Sequence, residues 1–206
     1  MEELKYKNTG NDSKLKTKDL ITLGLYTLLL ILLMAVGVGV CAGVFSVLFA
    51  GKVYFSIFTP VATAVFAAPA FTLIFNKIKK NYSVFISAFI LGLFLLLSGH
   101  TAIAFPIAVI GGILAEIFSR KNNEYLSYIF FTLGQIGTVI PMYFMRDVYI
   151  SHLKARGFSN EKIDFIMTNA SLQMFVIIVV TTIIFSVIGT YIGRKIYFKN
   201  FEKAGL

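Results

Sequence analysis

His100, Arg146, Asp147, Tyr149 and His152 are the residues whose side chains would do chemistry in an otherwise apolar chain. Arg146 offers a planar fork of donors that suits a carboxylate or a phosphate. His100 and Tyr149 can each donate or accept a hydrogen bond, and Asp147 adds a negative charge beside Arg146. Gln135 would bring a polar amide, with Tyr143, Tyr149 and Phe105 as walls. Carried to one place by helices, this set makes a pocket for a small organic compound with an anionic group. Each residue also has a plainer reading. His100 then is a polar turn residue in water, Arg146 an interfacial cation at a helix C-terminus favoured by the dipole and by snorkelling, and His152 an inert residue of an exposed loop.

Other chemistries lack their parts. Two distant histidines and the single Cys41 do not make the ligand clusters that zinc, nickel or copper need, so neither a metal nor another cofactor is expected. Gly51-Lys52 is followed by Val53 and preceded five residues earlier by Ser46, so it is no phosphate-binding loop for ATP. No His-Glu-x-x-His pair and no Gly-x-Ser-x-Gly elbow occurs. Glu116, the acid inside an apolar run, has Arg120 four residues on, and an ion pair across one helix turn accounts for it.

The element that must position His100 runs from Tyr82 to Ser119. Two apolar runs are joined by Ser98-Gly99-His100-Thr101, a link that permits only a tight reversal. The spacing predicts a transmembrane hairpin with the histidine at its tip. The whole chain fits that setting, with 57% hydrophobic and 14% charged residues and a mean hydropathy of +0.81, far below a soluble domain's usual charged share of about a quarter. Apolar runs starting at Leu20, Tyr54, Tyr82, Ala102, Tyr125 and Leu172 predict six spans in one all-α domain over residues 20–206. With the spans so placed, fourteen of the nineteen Lys and Arg residues fall on one side. That asymmetry predicts both termini in the cytoplasm and the hairpin tip outside. The net charge of +9 therefore reports topology in a lipid bilayer, and nucleic acid is not an expected partner.

Residues 1–19 read as a mobile cytoplasmic tail, with no apolar segment and cleavage site of a secretory signal. Asp19 is placed to cap the first helix. The patch Gly37-Val38-Gly39-Val40-Cys41-Ala42-Gly43 predicts an end or bend of that helix, which makes about 36–53 an outer lid-like segment; close helix packing is the alternative. Pro60 and Pro69 predict a bent second span. The outer loop, about 146–170, splits at Gly157 into two short amphipathic pieces, the second capped by Ser159 and burying Ile163, Ile166 and Met167. Ser171 can start the sixth span.

Several segments, taken together, resemble one family. Lys14-Leu15-Lys16-Thr17-Lys18-Asp19-Leu20-Ile21-Thr22, Ser98-Gly99-His100, Glu116 within GGILAEIF, Met145-Arg146-Asp147-Val148-Tyr149 and Phe201-Glu202-Lys203-Ala204-Gly205-Leu206 look like the MptD family of substrate-binding (S) components of energy-coupling factor (ECF) transporters. The resemblance implies a six-helix membrane protein that captures a micronutrient outside the cell. It also implies a transmembrane coupling subunit and two cytoplasmic ATPases as partners, and a toppling motion that carries the pocket inward. Other S components dock through an Ala-x-x-x-Ala surface on the first helix. Here Gly24 is followed by Leu28, so docking transfers only to the small face around Gly24 and Thr27. Nickel and cobalt S components begin Met-His, whereas residue 2 here is Glu.

The expected function is thus substrate capture in a multi-pass bacterial plasma-membrane protein without an ATPase site of its own, at a site of His100, Arg146, Asp147, Tyr149, Tyr143, Phe105 and Gln135. A flat tetrapyrrole such as haem is one ligand that a histidine and many aromatics would suit. The rival is a membrane enzyme or assembly factor that uses His100, Arg146 and Asp147 at the outer face.

Overall fold

Between Leu20 and Phe49 no residue is charged, and the chain forms one unbroken helix, α1 (Thr17–Leu48), through the whole glycine patch. The computed structural model describes residues 14–49, 55–168 and 170–203. The tail up to residue 13, Lys52 and the last three residues lie outside them, as does the far end of the lid-like segment. The helix does not end at Gly37–Gly43. Gly37 is instead where α1 presses on Phe66, with no room for a Cβ, while Gly39 and Gly43 have nothing within 4 Å. The helix starts at Thr17, earlier than expected, with Lys16 at its N-cap, and Asp19 in the first turn accepts the Lys16 backbone N–H at 2.9 Å.

A short 3-10 turn (Phe55–Phe58) leads to α2 (Thr59–Phe66) and α3 (Ala68–Lys77), two helices bent by 50° at Ala67. The prolines explain the bend. Pro69 has no N–H for the carbonyl four residues back, and its ring pushes the preceding turn aside. α4 (Ser83–Leu97) and α5 (Ala104–Arg120) form the hairpin. The fifth segment is not one helix: α6 (Glu124–Leu133) gives way to a 3-10 stretch, Gly134–Thr138, and then α7 (Ile140–Phe144). Gly134 and Gly137 sit against the Ala104–Gly111 part of α5, so backbone approaches backbone there. α8 (Arg146–Ala155) and α9 (Asn160–Thr168) follow, then α10 (Leu172–Ile196), which closes in a π turn, Tyr197–Phe201. Among the described residues there is no strand.

Two helices, Thr17–Leu48 and Leu172–Phe201, are long and apolar enough to cross a membrane, and the bent pair α2–α3 makes a third if counted as one span. The exposed face of α1 carries Leu25, Leu28, Leu32, Val36, Val40 and Val44. A helix apolar all round with such a surface is suited to lipid.

Close packing holds the bundle. Gly189 and Gly193 of α10, four residues apart, lie on the Ala64 and Ala68 carbonyls across the bend. This small-residue crossing lets van der Waals contact act where lipid removes the hydrophobic drive. Tyr128, fully buried, donates to the Ala64 carbonyl at 3.1 Å and packs against Phe71 and Phe131. Phe71, Leu23, Leu30, Leu91 and Ala115 share that main core. A second, smaller core gathers Ile57, Met142, Leu153, Ile163, Ile166, Met167 and Ile178 under α8 and α9.

The helix ends sort into two poles. One, the basic end, joins Lys77, Glu124, Arg194 and Tyr197 through an ion pair and ring contacts. The other holds the hairpin tip, α8 and α9.

Candidate functional site

The Ser98-Gly99-His100 triplet is first of all a helix cap. Gly99 takes φ +86, its N–H reaches the Leu96 carbonyl at 3.2 Å, and the His100 N–H reaches that of Leu95 at 3.1 Å. This left-handed C-terminal motif favours glycine. The His100 ring folds back on the same cap, with Nδ1 3.1 Å from the Leu95 carbonyl and 3.1 Å from the Ser98 hydroxyl. Burial holds its pKa below the ordinary histidine value, and the neighbouring Arg156 and His152 charges act in the same direction, against the Leu95 carbonyl.

The cap leaves the Gly99 carbonyl facing α8, and α8 takes it. His152 Nε2 lies 3.0 Å away and Arg156 Nη1 donates at 3.1 Å. His152, expected to be an inert loop residue, thus joins α8 to the hairpin tip. α8 itself ends in the same motif, with Gly157 at φ +78 and the Phe158 N–H on the Leu153 carbonyl at 3.1 Å. Ser159 and Ser171 accept from the Lys162 and Met174 N–H groups, as their positions predicted. Ile163, Ile166 and Met167 are buried beneath.

The expected site residues are only partly brought together. Tyr143 and Tyr149 both pack on the second core, Tyr143 with its ring 5.1 Å from that of Phe175. Arg146 and Asp147 are exposed on the first turn of α8. The chain breaks at Met145, so Arg146 opens a helix instead of closing one, and the dipole there favours Asp147. Phe105 faces α4, edge-on to Phe89 at 5.4 Å and above Gly92, apart from the two tyrosines. Gln135 is 3% exposed within the 3-10 stretch. Of the two docking residues, Gly24 lies open with nothing within 4 Å of a Cβ. Thr27 does not: it is 1% exposed and its hydroxyl is 2.9 Å from that of Ser87, which ties α1 to α4.

A polar seam between α6 and α10 was not foreseen. The Thr132 and Ser186 hydroxyls meet at 2.6 Å, both fully buried. The two helices run antiparallel, as the Glu124–Arg194 pair at the basic end shows. One turn toward the tip from this pair lie Gln135, in the 3-10 stretch that packs on α5, and Thr182 of α10. Gln135 Nε2 and Thr182 Oγ1 are buried without a hydrogen-bond partner, as are Tyr143 Oη and Thr101 Oγ1 in the same half of the molecule. Thr101, in the turn itself, and Thr182, beside Thr181 in an apolar run, were missed because a threonine carries no local signal of what it will face.

The acids of the basic end are structural. Glu116 pairs with Arg120 at 3.1 Å, as its spacing predicted, and also holds the start of α4. Glu124, not foreseen, is 2% exposed and takes Arg194 at 2.8 Å and Asn76 at 3.4 Å. Among the described residues no three His, Cys, Asp or Glu side chains come together as a metal requires.

An all-helical chain with long apolar spans, lipid-suited outer faces and a buried polar seam is an integral membrane protein. It belongs to the family described as hypothetical bacterial integral membrane protein (Trep_Strep), whose sequence model matches residues 17–203. Comparison with curated proteins and with solved structures gave no match.

Proposed function

We propose that this chain is the substrate-binding membrane subunit of an ECF-type ABC importer. It captures a small micronutrient at the hairpin-tip end and delivers it inward with a transmembrane coupling subunit and two cytoplasmic ATPase subunits. On this reading α1, α2–α3, α4, α5, α6–α7 and α10 are six crossings of the bacterial plasma membrane. Both termini are cytoplasmic, and the coupling subunit meets the open face of α1 around Gly24. The resemblance of five segments to MptD-family S components supports the reading, as does the sorting of cations to one pole.

The observation that carries it is the set of four partnerless buried polar atoms on Thr101, Gln135, Tyr143 and Thr182. A buried polar group without a partner costs about 1–3 kcal/mol, and a bound ligand that hydrogen-bonds to it removes that cost. On this reading the site lies in the tip half, with Tyr149, Arg146 and Asp147 toward its rim. Its buried groups are an amide and hydroxyls, so they suit the uncharged polar part of a ligand, and an anionic part would stay near Arg146.

Affinity purification of the full chain from its native membrane tests the assignment. Recovery of an ATPase pair and a coupling membrane protein supports it. Recovery of the chain alone, together with turnover of a lipid or peptide substrate, contradicts it in favour of a membrane enzyme.

A further inference from the structure

α8 and α9 leave the bundle and come back to it at one place. α7 ends at Phe144 and α10 begins at Leu172, and the Phe144 ring lies edge-on to that of Phe175, with centroids 5.0 Å apart. The chain therefore departs and returns through neighbouring points, and at both it is out of helical conformation. Met145 takes φ −134 and ψ 54, and Ser171 is extended at φ −105 and ψ 152. Two adjacent breaks of this kind make one hinge line, because φ and ψ can change there without unwinding a helix.

The opposite edge is held by side chains. His152 Nε2 and Arg156 Nη1, at the far end of α8, reach the Gly99 carbonyl at 3.0 and 3.1 Å. By helix length that point is about 15 Å from the hinge. Between the two, the underside is apolar: Leu153, Ile163, Ile166 and Met167 rest on Ile57, Met142 and Ile178 of the bundle. The upper side is polar, with Asp147, Ser151, Lys154, Glu161 and Asp164 exposed. Tyr143 packs against the same core, and its buried hydroxyl has no hydrogen-bond partner.

We propose that α8 and α9 form a flap, hinged at Met145 and Ser171 and latched at the Gly99 carbonyl, whose opening uncovers the Tyr143 hydroxyl. The latch is built to release. Arg156 is exposed, so water replaces the bond it gives up at little net cost. The apolar underside then draws the flap shut again. This motion supplies substrate capture with a way in, but it is tested without a ligand and so stands or falls apart from the transport assignment.

The test is the rate at which a charged thiol reagent modifies single cysteines in the full chain in detergent, with Cys41→Ser as background. Met167→Cys reports from beneath the flap and Ala115→Cys from the main core, where both native side chains are buried. Met167→Cys is modified measurably, and about tenfold faster when His152→Ala and Arg156→Ala remove the latch. Ala115→Cys stays unmodified over the same time in either background. His152→Gln with Arg156→Lys keeps a donor on each side chain and keeps the rate near that of the latched protein. Met167→Cys as unreactive as Ala115→Cys, or unmoved by loss of the latch, overturns the proposal. Equal acceleration at both cysteines also overturns it, by assigning the exposure to unfolding of the whole bundle.

Discussion

Glu116 Oε1 on α5 accepts the backbone N–H of Tyr82 at 2.7 Å, thirty-four residues earlier in the chain. Tyr82 is a non-glycine residue at φ 71, a conformation that its own side chain disfavours. The carboxylate compensates twice, holding that N–H and, through Oε2, the Phe85 N–H in the first turn of α4. A side chain of one helix thus caps its neighbour in the hairpin. Glu116→Ala is expected to destabilise the protein by about 1–3 kcal/mol, the worth of partly buried hydrogen bonds to a charged group. Thermal unfolding in detergent measures it. An unchanged midpoint would make Glu116 only a surface partner of Arg120.

The α10 crossing gives a contrast between glycines. At Gly189 a Cβ would collide with the Ala64 carbonyl, whereas at Gly39 it would meet nothing within 4 Å. Gly189→Ala is expected to cost about 1–3 kcal/mol through overpacking. Gly39→Ala is expected to stabilise α1 by about 0.5–1 kcal/mol. The same unfolding assay reads both, and equal effects would contradict the crossing.

The hairpin tip is expected to loosen in acid. The pKa of His100 is held below its unfolded value, so above about pH 6.5 both states are neutral and the cap is at full strength. As pH falls toward the depressed folded value the unfolded turn binds a proton first, and stability is lost. Protection from hydrogen exchange at residues 98–104, corrected for the slower intrinsic exchange in acid, should fall between about pH 7 and pH 5. His100→Asn should reduce that dependence; the facing groups, Arg156 and His152, are unchanged in it. Protection independent of pH in the wild type would sink this account.

The link from α8 to the tip rests on two side chains. His152→Ala with Arg156→Ala removes both partners of the Gly99 carbonyl. Exchange across 146–158 should rise while that of α6 and α10 stays the same. Unaltered exchange in α8 would show that the second core alone holds it.

Local signals were legible in the sequence, and long-range pairings were not. Gly157, Ser159, Ser171 and the buried Ile163, Ile166 and Met167 could be placed because turn chemistry and helical spacing act within a few residues. The bend at Pro69 followed from a missing N–H. By contrast, the glycines at 37–43 were read as a break, yet an apolar setting keeps that helix intact, since no water is there to take up freed backbone groups. Thr27 looked like part of an open face because its partner, Ser87, is sixty residues away. Glu124 and Arg194 are separated by seventy, and His152 by fifty-three from Gly99. The 3-10 stretch at Gly134–Thr138 exists because α5 presses on it, and only the folded packing reveals that.

The central claim is that Gln135 and its neighbours await a ligand. Native mass spectrometry of the gently purified wild type and of Gln135→Leu addresses it directly, with unfolding recorded alongside. The wild type should carry a small organic molecule, and Gln135→Leu should lose it, with affinity lower by about tenfold, while remaining at least as stable as the wild type without ligand. A wild type that carries no small molecule, or a Gln135→Leu variant that holds one equally well, would contradict the account.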